Sequence, residues 1–456
     1  MSRPLFFQQR FLPMWTALFL GAFADNMLRQ ALMVGLAFGA IGMGGVENPD
    51  SAIPVIGGLF AVAMLIFSPL AGQIAEKYET AMLFRRIKFV EIALMAIAAA
   101  GFAMQSGWIL TVAMFAMGAQ SAFFSPVRMS SMPKYLRADE LVRGNALCSA
   151  GLFTSVLLGM FLGGLLIASP NGGLMVAAIL FAAAFFGWLA ILMAPRAAAS
   201  EPALTLDWNI LAQAVRIIGF AFKAPGVARP TLGTAFFWFV STLVTVNVTF
   251  YARSSLGGDE ALATTIMGLF AIGAGLGAMT ASALSKRRSG LGFSTLGITL
   301  AGLATIVVYA LTGAVAAAGP GASVDLLYKS PAGIALALAF LFSAAFMGLY
   351  VVPLQAATQR RAPSRERARI MAASNMMNAA AAFAGSFSVL FVTQTALDAH
   401  TAFLLVAALQ ASVAFYMWLR RRRVREGLHD DSLAGADGDA DGDKERPPAL
   451  SQLAES

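Results

Sequence analysis

An acid, an amide and a base lie close together inside the first long apolar stretch of the chain. Asp25 and Asn26 are adjacent, and Arg29 follows one helical turn later, in a stretch that starts near Leu12. Placing an ionised group at such a depth in hydrocarbon costs at least about 2.5–3.5 kcal/mol, so the default interpretation is a binding site or a transport pathway. The alternative is a buried ion pair that only holds helices together. The spacing fits both, because residues three or four apart share a helix face.

The composition indicates a membrane protein without metal or cofactor chemistry. Of the 456 residues, 58% are apolar and 12% are charged, whereas a soluble domain is about 45–50% apolar and about 25% charged. The single cysteine, Cys148, excludes an intramolecular disulfide and a cysteine metal cluster. Neither His400 nor His429 is followed by an aspartate at the fifth place, as an H-x-x-x-x-D acyl-transfer motif requires. We therefore expect no catalytic residue, no metal and no cofactor.

Twelve stretches are long and apolar enough to cross a bilayer, which takes about 20 residues of helix. They occupy roughly residues 12–40, 52–75, 84–104, 107–127, 145–168, 173–194, 227–252, 262–285, 290–316, 332–357, 369–394 and 399–420. The first is about 30 residues long and contains charges, so we expect a retained helix rather than a cleaved signal peptide. The predicted fold class is an all-α membrane protein with twelve transmembrane helices.

Basic residues gather in every second loop of this arrangement. Lys and Arg cluster after spans two, four, eight and ten, whereas the opposite loops carry mainly acids, such as Glu47 and Asp259. This excess of positive charge on one side predicts that both termini lie in the cytoplasm. The bases outside the pattern are Arg29, Arg253 and Lys329. Topology thus explains the formal net charge of +8, and a nucleic-acid partner is not expected.

The chain divides into two six-helix halves, residues 1–194 and 227–426, joined by a linker over residues 195–226. Within the linker, residues 206–222 place apolar side chains at helical spacing beside polar ones, which predicts an amphipathic helix on the inner membrane surface. Residues 427–456 are rich in Gly, Asp, Ser and Pro and bury too little apolar surface to fold. We predict a disordered cytoplasmic tail there.

The two halves share short similarities in the same order along the chain. Residues 58–61, GLFA, recur at residues 268–271, and Pro126 in span four corresponds to Pro353 in span ten. Each of these prolines is followed by a basic loop and then by a helix that carries an asparagine. Two halves repeated in parallel resemble the plan of the major facilitator transporters. In that fold the substrate site lies between the halves, near the middle of the membrane.

The loop after span two resembles the signature G-x-x-x-D-[RK]-x-G-[RK]-[RK] of the major facilitator transporters. Gly72, Glu76 and Lys77 match its first part, although the second glycine is missing and the spacing to Arg85 and Arg86 is longer. The resemblance implies that Glu76 accepts hydrogen bonds at a helix N-terminus of the same half and that these five residues close a cytoplasmic gate. The alternative is an ordinary basic loop.

A second pair of opposite charges, Lys88 and Glu91, lies three residues apart at the start of span three. Residues at this spacing face one another on a helix. We interpret them as an ion pair at the membrane interface rather than as part of a site.

Four further segments identify a family more specifically than the loop signature does, because they include polar residues inside the spans. They are residues 10–32 (RFLPMWTALFLGAFADNMLRQAL), 121–164 (SAFFSPVRMSSMPKYLRADELVRGNALCSAGLFTSVLLGMFLGG), 232–238 (LGTAFFW) and 348–359 (GLYVVPLQAATQ). These segments resemble the bacterial lysophospholipid transporter family, a branch of the major facilitator superfamily sometimes fused to an acyltransferase. Asp25 and Asn26 match the family's D-N pair, and Arg29 its following base. Ser149 departs from the family, which often has an acidic residue there, and Ala24 stands where a polar residue is common.

The resemblance implies substrate-binding residues on several spans. Arg128 follows the Ser-Pro pair in span four, and Asn145 lies in the G-N-A-L segment that begins span five. The guanidinium groups of Arg29 and Arg128 fit phosphate oxygens, and Asp25 would meet an ammonium group. The expected substrate-binding residues are Asp25, Asn26, Arg29, Arg128, Asn145, Gln355 and Asn375.

The implied function is a secondary carrier of the bacterial inner membrane. By the resemblance, it moves lysophosphatidylethanolamine and related lipids from the outer to the inner leaflet by alternating access, as a monomer. Its expected partners are the lysophospholipid substrate, membrane lipids and a separate lysophospholipid acyltransferase. Two alternatives stay open. One is a proton-coupled drug or small-solute exporter with Asp25 as the proton site, and the other is a non-transporting scaffold that recruits an acyltransferase through the linker and the tail.

Overall fold

A computed structural model describes most of the chain. The described residues are 5–45, 52–137, 140–223, 226–285, 292–316, 324–361, 367–394 and 398–425. The predicted disordered tail lies outside them, as do Glu47, Asp50 and the basic residues after span eight.

Thirteen α-helices make up nearly all of the described part. They are α1 (Leu12–Ala37), α2 (Ala52–Lys77), α3 (Thr80–Ala103), α4 (Gly107–Tyr135), α5 (Leu141–Ile167), α6 (Gly172–Leu192), α7 (Ile210–Lys223), α8 (Ala228–Phe250), α9 (Glu260–Ser285), α10 (Gly292–Ala316), α11 (Pro331–Arg361), α12 (Arg367–Gln394) and α13 (Ala402–Arg425). Helix α7 has 14 residues and lies in the predicted linker. The other twelve have between 21 and 31 residues and follow the order of the predicted spans.

Ten of the described helices are long and apolar enough to cross a membrane, namely α2, α4 to α6 and α8 to α13. Helices α1 and α3 fall outside this set because both carry charged side chains in their apolar stretches. That they also cross the membrane stays a prediction. Helix α4 runs to Tyr135, well beyond the predicted end at residue 127. The prediction used the length of the apolar stretch alone. A helix can continue past that stretch, because its backbone hydrogen bonds do not depend on apolar side chains.

The packing of the first six helices is repeated by the last six. In the first half, α1 packs against α5, α2 against α4, and α3 against both α4 and α6. In the second half, the corresponding pairs are α8 with α12, α9 with α11, and α10 with α11 and α13. The same symmetry relates the two seams between the halves, α2 with α12 and α5 with α9. The fold is therefore that of a major facilitator, with two six-helix halves.

Small residues on α5 let it approach α1 closely. Gly151, Ser155, Gly159 and Gly163 recur every four residues and so share one face. A Cβ atom at Gly159 would lie 2.4 Å from the carbonyl oxygen of Phe23, a contact that no side chain tolerates. Such small-residue faces allow helix backbones to pack in a membrane, where lipid provides no hydrophobic drive for association. This face fixes the position of α1 and of the polar residues on it.

The two halves contact each other at the helix ends that are predicted to lie on the outer side of the membrane. Arg253, in a π-helical segment after α8, donates a hydrogen bond to the carbonyl of Ala37 at the end of α1. Cations are stabilised at such C-terminal helix ends. Ser386 of α12 donates to the carbonyl of Pro54 in α2, and Gln30 of α1 contacts Met267 of α9. These contacts join the halves at one end of the molecule, and Arg253, an exception to the charge bias, takes part in them.

Candidate substrate site and cytoplasmic gate

The polar residues of α1 contact helices α2 and α4 of the same half. Helix α1 begins at Leu12, and Pro13 suits its first turn because the missing N–H has no helical partner there. Asp25, Asn26 and Arg29 are all half-buried. The Asn26 amide donates to the carbonyl of Ala22, 2.8 Å away, so one of its donors is used within the helix.

Asp25 has a hydrogen-bond partner on only one of its two oxygens. Ser121 of α4 donates from its hydroxyl to Asp25 Oδ2 at 2.7 Å. The other oxygen, Oδ1, is buried and has no hydrogen-bond partner in the described part of the chain. A carboxylate accepts hydrogen bonds on both oxygens, and an unpaired buried polar atom costs about 1–3 kcal/mol. The carboxylate therefore retains unused capacity to bind a donor.

Arg29 does not pair with Asp25 in the described structure. Its guanidinium lies over the ring of Phe60 in α2, with Cζ 4.7 Å from the ring centroid. Arg29 Nε is buried without a hydrogen bond, and the ion pairs within 4 Å among the described residues involve other side chains. Helix α1 thus carries a negative and a positive group one turn apart, each with a polar atom that lacks a hydrogen-bond partner among the described residues. This arrangement suits a ligand that carries both charges.

Arg128 lies on the same face of α4 as Ser121, two helical turns nearer the C-terminal end of the helix. It is half-buried and sits within α4, since the helix continues through Pro126 to Tyr135. That Arg128 lies at the cytoplasmic end of the span stays a prediction. At about 1.5 Å per residue, Arg128 lies about 10 Å along the helix from Ser121. It adds a second cation to this half.

Of the remaining predicted substrate residues, Asn145 begins α5, but its side chain lies outside the described part. Gln355 in α11 is half-buried, and Asn375 in α12 is exposed. Both belong to the second half, whereas Asp25 and Arg29 contact α4 and α2 of the first half. In the described part, no three His, Cys, Asp or Glu side chains could hold a metal ion.

A buried polar group that sequence reasoning placed elsewhere lies behind Asp25. Lys88 and Glu91 of α3 form an ion pair at 2.7 Å, and each side chain is only 1% exposed. Gln120 of α4 donates to Glu91 Oε2 at 2.8 Å. The interpretation of Lys88 and Glu91 as an interfacial pair was wrong, because α4 and α6 cover this face of α3. The sequence shows two opposite charges within an apolar span. That pattern fits a pair buried between helices as well as a pair at the membrane interface.

The N-terminus of α3, just after the motif at the end of α2, is capped by a residue outside that motif. Glu79 accepts hydrogen bonds from the backbone N–H groups of Ala81 and Met82 in the first turn of α3, and from Ala197 in the linker. Partial burial raises the pKa of Glu79, but these three donors more than offset it, so the pKa lies below its ordinary value. Glu76, predicted to cap a helix N-terminus, is exposed in the last turn of α2.

The predicted gate residues and their neighbours bind the linker to the first half. Arg85 donates to the carbonyls of Leu192 and Ala194, where α6 passes into the linker. Lys134 donates to the Ala198 carbonyl, and the Tyr135 hydroxyl to that of Pro195. The other predicted gate residues lie on the surrounding surface, where Gly72 has open space around it, Lys77 lies near the ring of Tyr78 and Arg86 is exposed.

The linker then crosses from α2 to α12. Gln73 of α2 pairs with the backbone of Asp207, accepting from its N–H at 2.8 Å and donating to its carbonyl at 3.3 Å. Gln73 also donates to Gln213 in α7 at 2.6 Å. Helix α7 packs on α12 as well as on α2. The linker therefore contacts both halves at the face opposite to the Arg253 contact, where a gate would operate.

We expect Glu79→Ala to lower the stability of the protein by about 0.5–2 kcal/mol, the usual effect of losing an N-cap. Glu76→Ala is the matched control, and we expect a change within about 0.5 kcal/mol, as at other exposed positions. Because the folded-state pKa of Glu79 is lowered, its contribution is present above the ordinary glutamate pKa and is lost as the pH falls through the lower folded value. Thermal unfolding of the purified variants at several pH values measures both effects. A larger loss of stability in Glu76→Ala than in Glu79→Ala would show that Glu76, the motif residue, caps α3.

Comparison with known proteins agrees with this architecture. The Major Facilitator Superfamily model matches residues 14–386. The lysophospholipid transporter LplT of Serratia proteamaculans is 26% identical over 269 residues, covering 58% of this chain and 64% of that protein. The LplT of Salmonella typhi is 27% identical over 271 residues, covering 59% and 64%. The match thus spans less than two thirds of the length of these relatives.

Solved structures of other transporters share the fold. The peptide transporter POT in complex with sulfate has a TM-score of 0.64 at 16% identity, over 90% of this chain and 96% of that chain. The nucleoside transporter NupG has a TM-score of 0.61 at 14% identity, over 88% and 99%. At these identities the likeness shows the arrangement of helices alone.

Proposed function

The chain belongs to the Major Facilitator Superfamily, and we propose that it carries lysophospholipids between the leaflets of the bacterial inner membrane by alternating access. The observation that carries the proposal is the pair formed by Asp25 and Arg29. The two groups have opposite charges, lie one turn apart and form no ion pair within 4 Å among the described residues. A zwitterionic head group supplies an ammonium for Asp25 and a phosphate for Arg29, and guanidinium groups fit phosphate oxygens well.

The single acyl chain of a lysophospholipid needs an apolar path beside these polar groups. Helices α5, α9 and α12, the helices of predicted spans five, eight and eleven, take part in the seams between the halves and carry large exposed apolar side chains. They are Leu158, Phe161, Leu276, Met279, Phe387 and Phe391. Exposed apolar side chains are also common at ordinary lipid-facing surfaces, so they support the proposal but do not carry it. The specificity of the proposal therefore rests on the binding of the head group by Asp25 and Arg29.

The proposed direction is from the outer to the inner leaflet, with both termini in the cytoplasm. The basic loops support this orientation, because positive residues favour the cytoplasmic side. The contacts of Arg253 and Ser386 would then close the outer end, and the linker would lie beneath the cytoplasmic end. A carrier in this state receives its next substrate after the outer contacts open.

Lipid transfer in reconstituted vesicles tests the proposal. Labelled lysophosphatidylethanolamine is added to the outer leaflet of proteoliposomes, and albumin extraction measures the fraction that has become protected. We expect protection to rise faster with the protein than in empty vesicles. Equal rates would contradict the proposal and leave the scaffold alternative. Strict dependence on a pH gradient would favour the proton-coupled exporter.

Arg128 tests whether the second cation binds phosphate. We expect Arg128→Ala to weaken lysophosphatidylethanolamine binding by more than about 1 kcal/mol, since a hydrogen bond to a charged group contributes about 1.5–3 kcal/mol. Arg128→Lys keeps the charge but loses the two-pronged fork, so we expect partial binding. Titration of the purified protein measures both.

Arg137→Ala is the control for Arg128, since it removes the same charge at the cytoplasmic end of the same half. The Arg137 side chain is 71% exposed, and we expect its loss to leave binding unchanged. If Arg128→Ala binds lysophosphatidylethanolamine as tightly as the wild type, Arg128 does not bind phosphate and is only one of the basic residues that orient the protein in the membrane.

A further inference from the structure

Helix α7 of the linker is covered by protein on one side. Gln73 of α2 holds it through the backbone of Asp207 and the side chain of Gln213. Gln213 also donates to the Asp207 carbonyl at 2.8 Å, which completes a closed group of hydrogen bonds. In the other half, α7 packs on α12. The helix is therefore in contact with both halves of the protein.

The side of α7 that carries Gln213 is the apolar face expected of an amphipathic helix. Ile210, Gln213, Ala214 and Ile217 follow the spacing i, i+3, i+4 and i+7, so they share one side of the helix. All four are partly buried. Because Gln213 contacts α2, this side is turned toward the protein. Packing against the protein thus accounts for the apolar spacing of this face.

The opposite side of α7 carries large apolar side chains as well, and these are exposed in the described part of the chain. Val215 and Phe222 lie seven residues apart, hence on one side, and are 65% and 45% exposed. Trp208, just before the helix, is 68% exposed, and Gly219 has open space around it. We refer to Trp208, Val215 and Phe222 as the linker stripe. A helix that is apolar on both sides is expected to have both sides removed from water.

The attachment of α7 to α2 places the linker stripe at the edge of the membrane. Helix α2 is long and apolar enough to cross a bilayer, and Ile66 within its apolar stretch is 42% exposed. Gln73 follows seven residues later, which is about 10 Å along the helix at about 1.5 Å per residue. Glu76 and Lys77, the first charged residues of α2, come within the next four positions. Helix α7 is therefore attached where α2 leaves the hydrocarbon layer.

We propose that the linker stripe binds the inner leaflet of the membrane, at the boundary between the lipid head groups and the acyl chains. Interfacial helices bury an apolar side about 5–10 Å into this layer, and tryptophan is enriched there. The Arg216 side chain, 66% exposed next to Val215, lies at the level of the lipid phosphates. Lipid then covers the side of α7 that protein leaves open. Because α7 also contacts α2 and α12, the bound leaflet meets a helix that bridges the two halves.

A single fluorophore on α7 tests this docking. Cys148→Ala removes the one cysteine of the chain, and Val215→Cys then provides one labelling site in the linker stripe. The full chain carries an environment-sensitive fluorophore at this site and is reconstituted into phospholipid vesicles. Some vesicles contain lipid with a nitroxide near the head-group end of the acyl chain, which quenches fluorophores at that depth. We expect the nitroxide lipid to remove more than half of the fluorescence and iodide in the buffer to remove little.

Ala203→Cys, in the same Cys148→Ala background, is the matched control. Ala203 is an exposed linker residue that precedes α7, two positions after the charged Glu201. We expect iodide to quench a fluorophore there strongly and the nitroxide lipid to have little effect. Phe222→Cys lies on the same side as Val215 and repeats the measurement should Val215→Cys fail to fold.

Two results would overturn the proposal. If iodide quenches the fluorophore at position 215 as strongly as the one at position 203, the linker stripe faces water. If neither iodide nor the nitroxide lipid quenches it, another protein segment or a second copy of the chain covers the stripe. The measurement requires no transported substrate. The docking can therefore hold or fail independently of the proposed lysophospholipid transport.

Discussion

Asp25→Asn is expected to reduce lysophosphatidylethanolamine transport by about thirtyfold or more, since removing one partner of a desolvated charge pair costs about 2–5 kcal/mol. The amide has the same shape and its oxygen can still accept from Ser121. It cannot supply the negative charge that an ammonium requires. Insertion into the membrane should be no worse, because an ionised group has been removed from the apolar stretch.

The matched control for Asp25→Asn is Glu140→Gln, the same change of acid to amide in the same half. Glu140 is ion-paired with Arg10 at 2.6 Å near the start of α5. The hydrogen bond from Arg10 lowers the pKa of Glu140 to about 2, so it is ionised at any assay pH near neutrality. We expect its variant to transport as the wild type does in the vesicle assay. Wild-type transport by Asp25→Asn would instead make Asp25 a structural residue.

Gly159→Ala is expected to destabilise the protein by about 1–3 kcal/mol, the usual range for overpacking a close contact. The added Cβ would lie 2.4 Å from the Phe23 carbonyl oxygen and 3.3 Å from Asn26 Cβ. The first of these contacts is with backbone, so α5 and α1 must move apart. Because Asp25 lies on the same stretch of α1, we also expect weaker lysolipid binding.

Gly313→Ala is the matched control, because it makes the same substitution at a position with open space around it. Gly313 lies in α10, and a Cβ atom there would meet no other atom within 4 Å. Alanine is favoured over glycine in a helix by about 1 kcal/mol, so this variant should melt at or above the wild-type temperature. Equal melting temperatures for the two variants in the same detergent would show that the α1–α5 contact adjusts freely.

The sequence alone predicted the number and order of the long helices, their charge bias and the parallel repeat. These features follow from local rules. About 20 apolar residues are needed to cross a bilayer, and such a run is visible without any knowledge of neighbouring helices. The amphipathic linker helix was predicted for the same reason, and α7 lies within the predicted segment. The polarity of Asp25, Asn26 and Arg29 inside an apolar stretch singled them out without any comparison, and the resemblance added Arg128 on α4.

Only the tertiary structure decided how these polar residues are partnered. Asp25 and Arg29 are one turn apart on α1, yet Asp25 binds Ser121 on α4 and Arg29 stacks on Phe60 of α2. Glu79 rather than Glu76 caps α3, because it lies at the turn where both α3 and the linker present free N–H groups. Lys88 and Glu91 are buried because α4 and α6 cover their face of α3. A sequence shows which residues share a helix face, but the neighbour that meets that face is set by packing between helices far apart in the chain.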